Sequence, residues 1–202
     1  MTTISNQIRF RISEFQTEKV FIASDFIDLA DISTVWQVLS REEKDGTIKR
    51  IFQGFYYKPE YSALLDEYEA PSPHEVALAI ARKYGWNIAP SENSALNMLG
   101  LSTQVPAKWT YVSDGPYRKI KLDNIDIEFK HRNNREITGL SYKTSLIIQA
   151  IKAIGRDKLD DNAIMRFSSI LTEEEKAWML EEAKYVTAWV YGVIKQICRR
   201  LN

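Results

Sequence analysis

Ser33-Thr34-Val35-Trp36-Gln37-Val38-Leu39-Ser40-Arg41-Glu42-Glu43-Lys44-Asp45-Gly46 runs directly into Thr47-Ile48-Lys49-Arg50-Ile51-Phe52-Gln53-Gly54-Phe55-Tyr56-Tyr57. The two halves have different periods. In the first, Val35, Val38 and Leu39 recur at helical spacing, Ser33 is an N-cap candidate, and Gly46 is placed to stop the helix. In the second, β-branched and aromatic residues flank a Gln53-Gly54 turn, which predicts a hairpin that Pro59 ends. Upstream, Asp31-Ile32-Ser33 is a tight connection. Ser24 reads as the N-cap of a short helix ending near Ala30, with Asp25 and Asp28 in its first turn. Val20 to Ala23 reads as a strand. Thr3 to Phe15 reads as a helix with Ile4, Ile8, Ile12 and Phe15 on one stripe. The order helix, strand, helix, turn, helix, hairpin over residues 1–60 predicts a winged helix-turn-helix.

Such a fold presents one helix to the major groove of DNA. With Val35, Val38 and Leu39 inward, Thr34, Gln37, Arg41 and Lys44 face outward. Gln pairs with adenine and Arg with guanine, each through two hydrogen bonds. Ser33, Thr34 and Ser40 suit phosphate or base contacts. Trp36 has two readings, core filler or a ring stacked on the DNA backbone. In the hairpin, or wing, Lys49, Arg50 and Gln53 suit phosphate contacts, which set affinity and register rather than sequence choice. Charge tempers this reading. Residues 1–60 carry eight basic and nine acidic side chains, and Glu42, Glu43 and Asp45 lie on or beside the same helix. A protein-docking module that never touches DNA fits the same pattern.

Residues 61–73 read as a linker, broken most clearly at Pro71-Ser72-Pro73. From 74 to 202 a second domain is expected. Helices are predicted from near His74, ending before Gly85, and over Glu92 to Leu99. Short strands follow at Trp109–Val112, Tyr117–Leu122 and Ile125–Lys130, separated by Asp114-Gly115-Pro116 and Asp123-Asn124, which predicts a small antiparallel meander. Gly139 to Ile154 and Leu159 to Phe167 return to helical spacing. A long C-terminal helix begins at the capping box Thr172-x-x-Glu175 and carries Met179, Val186, Val190, Val193 and Ile197 as its apolar stripe. That helix either packs on the domain's own core or serves as a dimerisation or partner helix. The fold class is α+β.

The chain has 202 residues, is 45% hydrophobic, and balances 27 basic against 27 acidic residues. Any nucleic-acid role must therefore come from local patches. Cys198 is the only cysteine, which excludes an internal disulfide and suits a reducing compartment. No signal-peptide pattern or long apolar run appears, so a cytoplasmic location without membrane attachment is expected.

The inventory for catalysis is thin. His74 and His131 are the only histidines, and no metal-ligand spacing or phosphate-cradling loop appears, so no enzyme, metal or cofactor is expected. His74 is expected to be exposed in a first helical turn. Asp126, Glu128 and Lys130 alternate on a predicted strand, and Glu-x-Lys with an upstream acid such as Asp114 is the least favoured alternative, a metal-dependent nuclease. A solvated strand face explains the same spacing. Lys130, His131, Arg132 and Arg135, extended by Arg118, Lys119 and Lys121, form the densest basic patch. It is read as a solvated loop, an auxiliary DNA contact or a docking face for a partner.

Phe21-Ile22-Ala23-Ser24-Asp25-Phe26, Val38-Leu39-Ser40-Arg41, Gly46-Thr47-Ile48-Lys49-Arg50-Ile51 and Gly54-Phe55-Tyr56 together resemble the winged helix of AbiEi-type antitoxins. Those are regulators from bacterial type IV toxin–antitoxin and abortive-infection systems. Further on, Pro73-His74-Glu75, Asp114-Gly115 and Ile127-Glu128-Phe129-Lys130-His131 resemble the same family. So does the more specific string Ala95-Leu96-Asn97-Met98-Leu99-Gly100-Leu101-Ser102-Thr103-Gln104-Val105-Pro106. The resemblance spans roughly Phe21 to Ile154, and the tail beyond Gly155 carries none of it. It implies an autorepressor that binds an inverted repeat in its own promoter, with a homodimer on the double-stranded DNA expected. It also implies a second domain that neutralises a nucleotidyltransferase-like toxin.

Overall fold

Thr3 caps the first helix, α1 (Ile4–Glu14), and α1 buries Ile8 and Ile12 while Ile4 stays exposed. The computed structural model describes residues 3–16, 18–64, 66–122, 125–132 and 137–199. After α1 come β1 (Val20–Ile22), one 3₁₀ turn (Ala23–Phe26), α2 (Ile32–Lys44), β2 (Lys49–Phe52) and β3 (Phe55–Tyr57). β3 lies between β1 and β2, antiparallel to both, with a bulge between Arg50 and Phe52. The core joins Ile8, Ile12, Phe21, Phe26, Val35, Val38, Leu39, Ile48 and Tyr56. Phe21 sits 5.3 Å from Phe15 and 5.8 Å from Phe26, centroid to centroid. Each such aromatic contact adds to the burial of its ring.

Two caps differ from the sequence reading. The helix expected after Ser24 is a single 3₁₀ turn, held by the Asp25 carboxylate, which accepts the Ile22 N–H at 2.9 Å. α2 starts at Ile32 and is capped by Asp31, not Ser33. In both places a carboxylate within two residues of the serine accepts a free backbone N–H in place of the hydroxyl.

The expected linker is not the boundary. Residues 61–73 hold a small antiparallel hairpin, β4 (Tyr61–Ser62) with β5 (Glu67–Tyr68). The chain divides instead into units of residues 1–85 and 86–202, and α3 (Pro73–Tyr84) belongs to the first. Arg82 on α3 donates to the Val20 carbonyl at 2.7 Å and pairs with Asp25 at 3.3 Å, which fastens α3 to β1. Gly85 ends α3 with φ at 66°, a left-handed position that favours glycine.

The second unit centres on a mixed sheet. β6 (Ile88–Pro90), β7 (Lys108–Ser113), β8 (Arg118–Leu122) and β9 (Ile125–His131) pair in the order β6-β7-β9-β8. This corrects the expected meander, because β9 lies between β7 and β8 and runs parallel to β7. The loop from β7 to β8 therefore crosses the end of β9. It is tied down there: His131 Nδ1 lies 3.0 Å from the Gly115 carbonyl, and Asp114 accepts the Asn87 N–H at 2.8 Å. The Asp123-Asn124 turn expected between β8 and β9 lies outside the described residues. Around the sheet come α4 (Asn93–Met98), α5 (Tyr142–Ile154), α6 (Asp161–Ser169), α7 (Glu173–Glu182) and α8 (Ala188–Arg199).

The single long C-terminal helix is also corrected. The capping box at Thr172 and Glu175 forms, but the helix ends at Glu182 and, after a 3₁₀ turn, α8 begins at Ala188. β-branched Val186 and Thr187 stand at the break, where helix propensity is weak. The break lets Met179 of α7 and Val190, Ile194 and Ile197 of α8 share one core with Leu146, Ile147, Ile151 and Phe167. No helix among the described residues is long and apolar enough to cross a membrane.

A Cβ built on Gly115 would lie 2.4 Å from the Trp86 ring. Gly115→Ala is expected to destabilise the second unit by about 1–3 kcal/mol through overpacking. An unchanged midpoint in denaturant-induced unfolding would refute the tight crossing.

Candidate nucleic-acid interface

The inward face of α2 carries Val35, Val38, Leu39 and Glu42, all buried. One turn of helix is 3.6 residues, so the opposite face carries Ser33, Gln37, Ser40 and Lys44, with Trp36 and Arg41 on its two flanks. Gln37, Arg41 and Lys44 are exposed and Ser40 is half-buried. Among the described residues, neither Arg41 nor Lys44 forms an ion pair. Trp36 is 62% exposed, which rules out the core-filling reading.

Of the acids that clouded the sequence reading, Glu42 and Glu43 are paired locally, while Asp45, the C-cap of α2, is exposed and forms no ion pair among the described residues. Glu42 turns inward, with its side chain 4% exposed, and takes Arg9 Nε of α1 at 2.6 Å. Glu43 pairs with Arg50 of the wing at 3.0 Å. Asp31 accepts both hydroxyls of the first turn, Ser33 Oγ at 2.5 Å and Thr34 Oγ1 at 2.7 Å. Those hydrogen bonds hold its carboxyl well below the usual carboxylate range. The outward face therefore carries two unpaired cations and one free amide, while Ser33 and Thr34 have already spent their donors.

The β2–β3 hairpin is less free than its sequence suggests. Lys49 rests its ammonium 3.7 Å from the centre of the Tyr68 ring, a cation–π contact from the next hairpin. Arg50 is held by Glu43. Gln53 is exposed at the tip, where Gly54 takes φ of 83°. Lys58 closes the wing's base by donating to the Ser13 and Phe15 carbonyls, each at 3.1 Å.

In the second unit much of the basic patch is committed internally, although Lys121 is exposed and forms no ion pair among the described residues. Glu128 on β9 is 3% exposed. It pairs with Lys108, lies 3.7 Å from Lys119, and accepts the Tyr117 hydroxyl at 2.5 Å. Lys130 pairs with Glu92 at 2.6 Å, and Arg132 donates to the neighbouring His131 carbonyl. Arg118 is half-buried and also partnered. Arg135 lies outside the described residues. The arrangement weighed as a nuclease is not assembled: Asp114 is held by Asn87, Glu128 by two lysines and a tyrosine, and Lys130 by Glu92. Among the described residues no group of three or more His, Cys, Asp or Glu side chains could hold a metal. His74 is half-buried rather than exposed, and burial pushes it down to about 4, so its ring is neutral near pH 7. Cys198 is half-buried, and burial pushes its thiol up.

Two predictions test these pairings. Arg9→Ala leaves the Glu42 carboxylate buried without a partner and is expected to cost about 1–3 kcal/mol. Glu42→Gln in the same chain should recover part of that loss in denaturant unfolding. The second concerns pH. Burial pushes the Glu128 carboxyl up, but the Lys108 and Tyr117 hydrogen bonds outweigh it and bring the carboxyl to about 2. A lowered native pKa stabilises the fold above the ordinary carboxylate range, and the gain is lost as pH falls. Between pH 4.5 and 2, the wild-type protein should lose more thermal stability than Glu128→Gln. Parallel profiles for the two proteins would refute the pairing.

No curated protein matches the chain. Residues 7–179, well over half of its length, match a family of unknown function, and the chain belongs to that family, DUF6088.

Proposed function

We propose that the protein is a DNA-binding transcriptional regulator, acting in the cytoplasm, whose first unit is a winged helix-turn-helix with α2 as the recognition helix. The observation that carries this reading is the outward face of α2. Gln37, Arg41 and Lys44 stand exposed there, while Glu42 and Glu43 are withdrawn into ion pairs. A helix about to enter the major groove needs such a face, with its acids screened from the phosphates. The pairing of β1 with the β2–β3 hairpin supports the same reading, since it sets a wing beside the helix.

The likeness of residues 21–154 to AbiEi-type antitoxins supports a narrower proposal. In it the protein represses its own promoter by binding an inverted repeat as a homodimer, and it neutralises a nucleotidyltransferase-like toxin. The committed charges of the second unit argue against a large auxiliary DNA contact from Arg118, Lys119, Lys130, His131 or Arg132.

The deciding experiment is a binding selection on random duplex DNA at two salt concentrations. A recovered inverted repeat is expected. Arg41→Ala should weaken binding to the recovered site by about 1–3 kcal/mol and relax the preference at one guanine. Lys44→Ala should weaken all duplexes alike and lower the salt slope by about one. Failure to enrich any duplex at low salt would refute the proposal and leave a protein-docking module.

A further inference from the structure

The first two turns of α2 carry an apolar edge that the fold does not use. Ile32 is 43% exposed and Trp36 62% exposed. They are four residues apart, so they lie one above the other on the same side of the helix. The hydroxyls of Ser33 and Thr34 are turned back to Asp31. What this end of the helix offers outward is therefore the Ile32–Trp36 edge beside the amide of Gln37. The aromatic cluster of the unit is already formed by Phe15, Phe21, Phe26 and Tyr56, without the indole.

We propose that Ile32 and Trp36 read thymine methyl groups and that Gln37, beside them, reads adenine, so that the first two turns of α2 select A·T base pairs. The inference rests on the DNA-binding reading above. Base edges are reached by the N-terminal residues of a recognition helix, where these three side chains stand. In the major groove thymine is marked by its C5 methyl, which only apolar surface recognises. Adenine presents N6–H₂ as donor and N7 as acceptor, which match the carbonyl and amino group of one glutamine amide. A guanine reader at these positions would need a cation, and the nearest outward one is Arg41, a full turn beyond Gln37 and on the opposite flank from Trp36.

The test replaces thymidine by deoxyuridine in the duplex recovered by selection. This removes the methyl group and leaves base pairing intact. Wild-type protein is expected to lose about fourfold in affinity for each contacted methyl, the equivalent of one buried methyl-sized group. Trp36→Ala should bind more weakly and distinguish the two duplexes less, Ile32→Ala with Trp36→Ala should no longer distinguish them, and Trp36→Phe should keep part of the discrimination. Gln37→Ala should keep the methyl dependence and lose the adenine preference. Thermal unfolding of each variant confirms that it is folded. Equal binding of the two duplexes by wild type, or undiminished discrimination in Trp36→Ala, overturns the thymine reading and leaves DNA binding standing. The same equality, with Trp36 protected on addition of a protein partner, would reassign this edge to that partner. Absence of binding to any duplex overturns both readings.

Discussion

Glu42 is the joint on which the first unit depends. A carboxylate in an apolar setting is costly unless it is paired, and here the partner comes from another helix, Arg9 of α1. The same residue's backbone carbonyl accepts the Thr47 N–H at 3.0 Å, which closes the end of α2 and launches the wing. One residue thereby sets the register of α1 on α2, the end of α2 and the direction of β2. It also decides the charge of the outward face, because a quarter-turn rotation of the helix would turn an acid outward.

The second unit hides an acid by the same means and with the opposite outcome. Glu128 draws Lys108 and Lys119 onto itself, and Glu92 draws Lys130. Glu92 does so from a backbone position with φ of 55°, which a non-glycine residue seldom adopts. In the first unit, ion pairing clears a face of negative charge. In the second it consumes part of the positive charge. Overall composition gives no hint of this, since basic and acidic residues are equal in number.

What was legible in the sequence was local. The period of Val35, Val38 and Leu39 orients α2 and so finds Gln37, Arg41 and Lys44. Gly85, Pro59 and the Thr172 capping box mark element ends because each acts within a few residues of itself. Competition between neighbouring groups was not legible. Ser24 and Ser33 are good caps in isolation, and Asp25 and Asp31 are simply better placed. Nor were distant pairings, since the parallel match of β7 to β9 and the three-residue β6 with its Pro90 leave no local trace. The commitments of Lys49 to Tyr68 and of Arg50 to Glu43 are tertiary, so the wing looked freer than it is. Trp36 stood at the border of the buried arc, where period alone does not choose a side.

β8 forms one edge of the mixed sheet, and its outer row of backbone donors and acceptors faces no further strand among the described residues. Such a row is a template on which a second chain can add itself. Lys119 and Lys121 project from this strand, both exposed. Two like charges two residues apart would have to be brought against the same charges of an incoming copy. A basic edge of this kind disfavours edge-to-edge joining of crowded molecules.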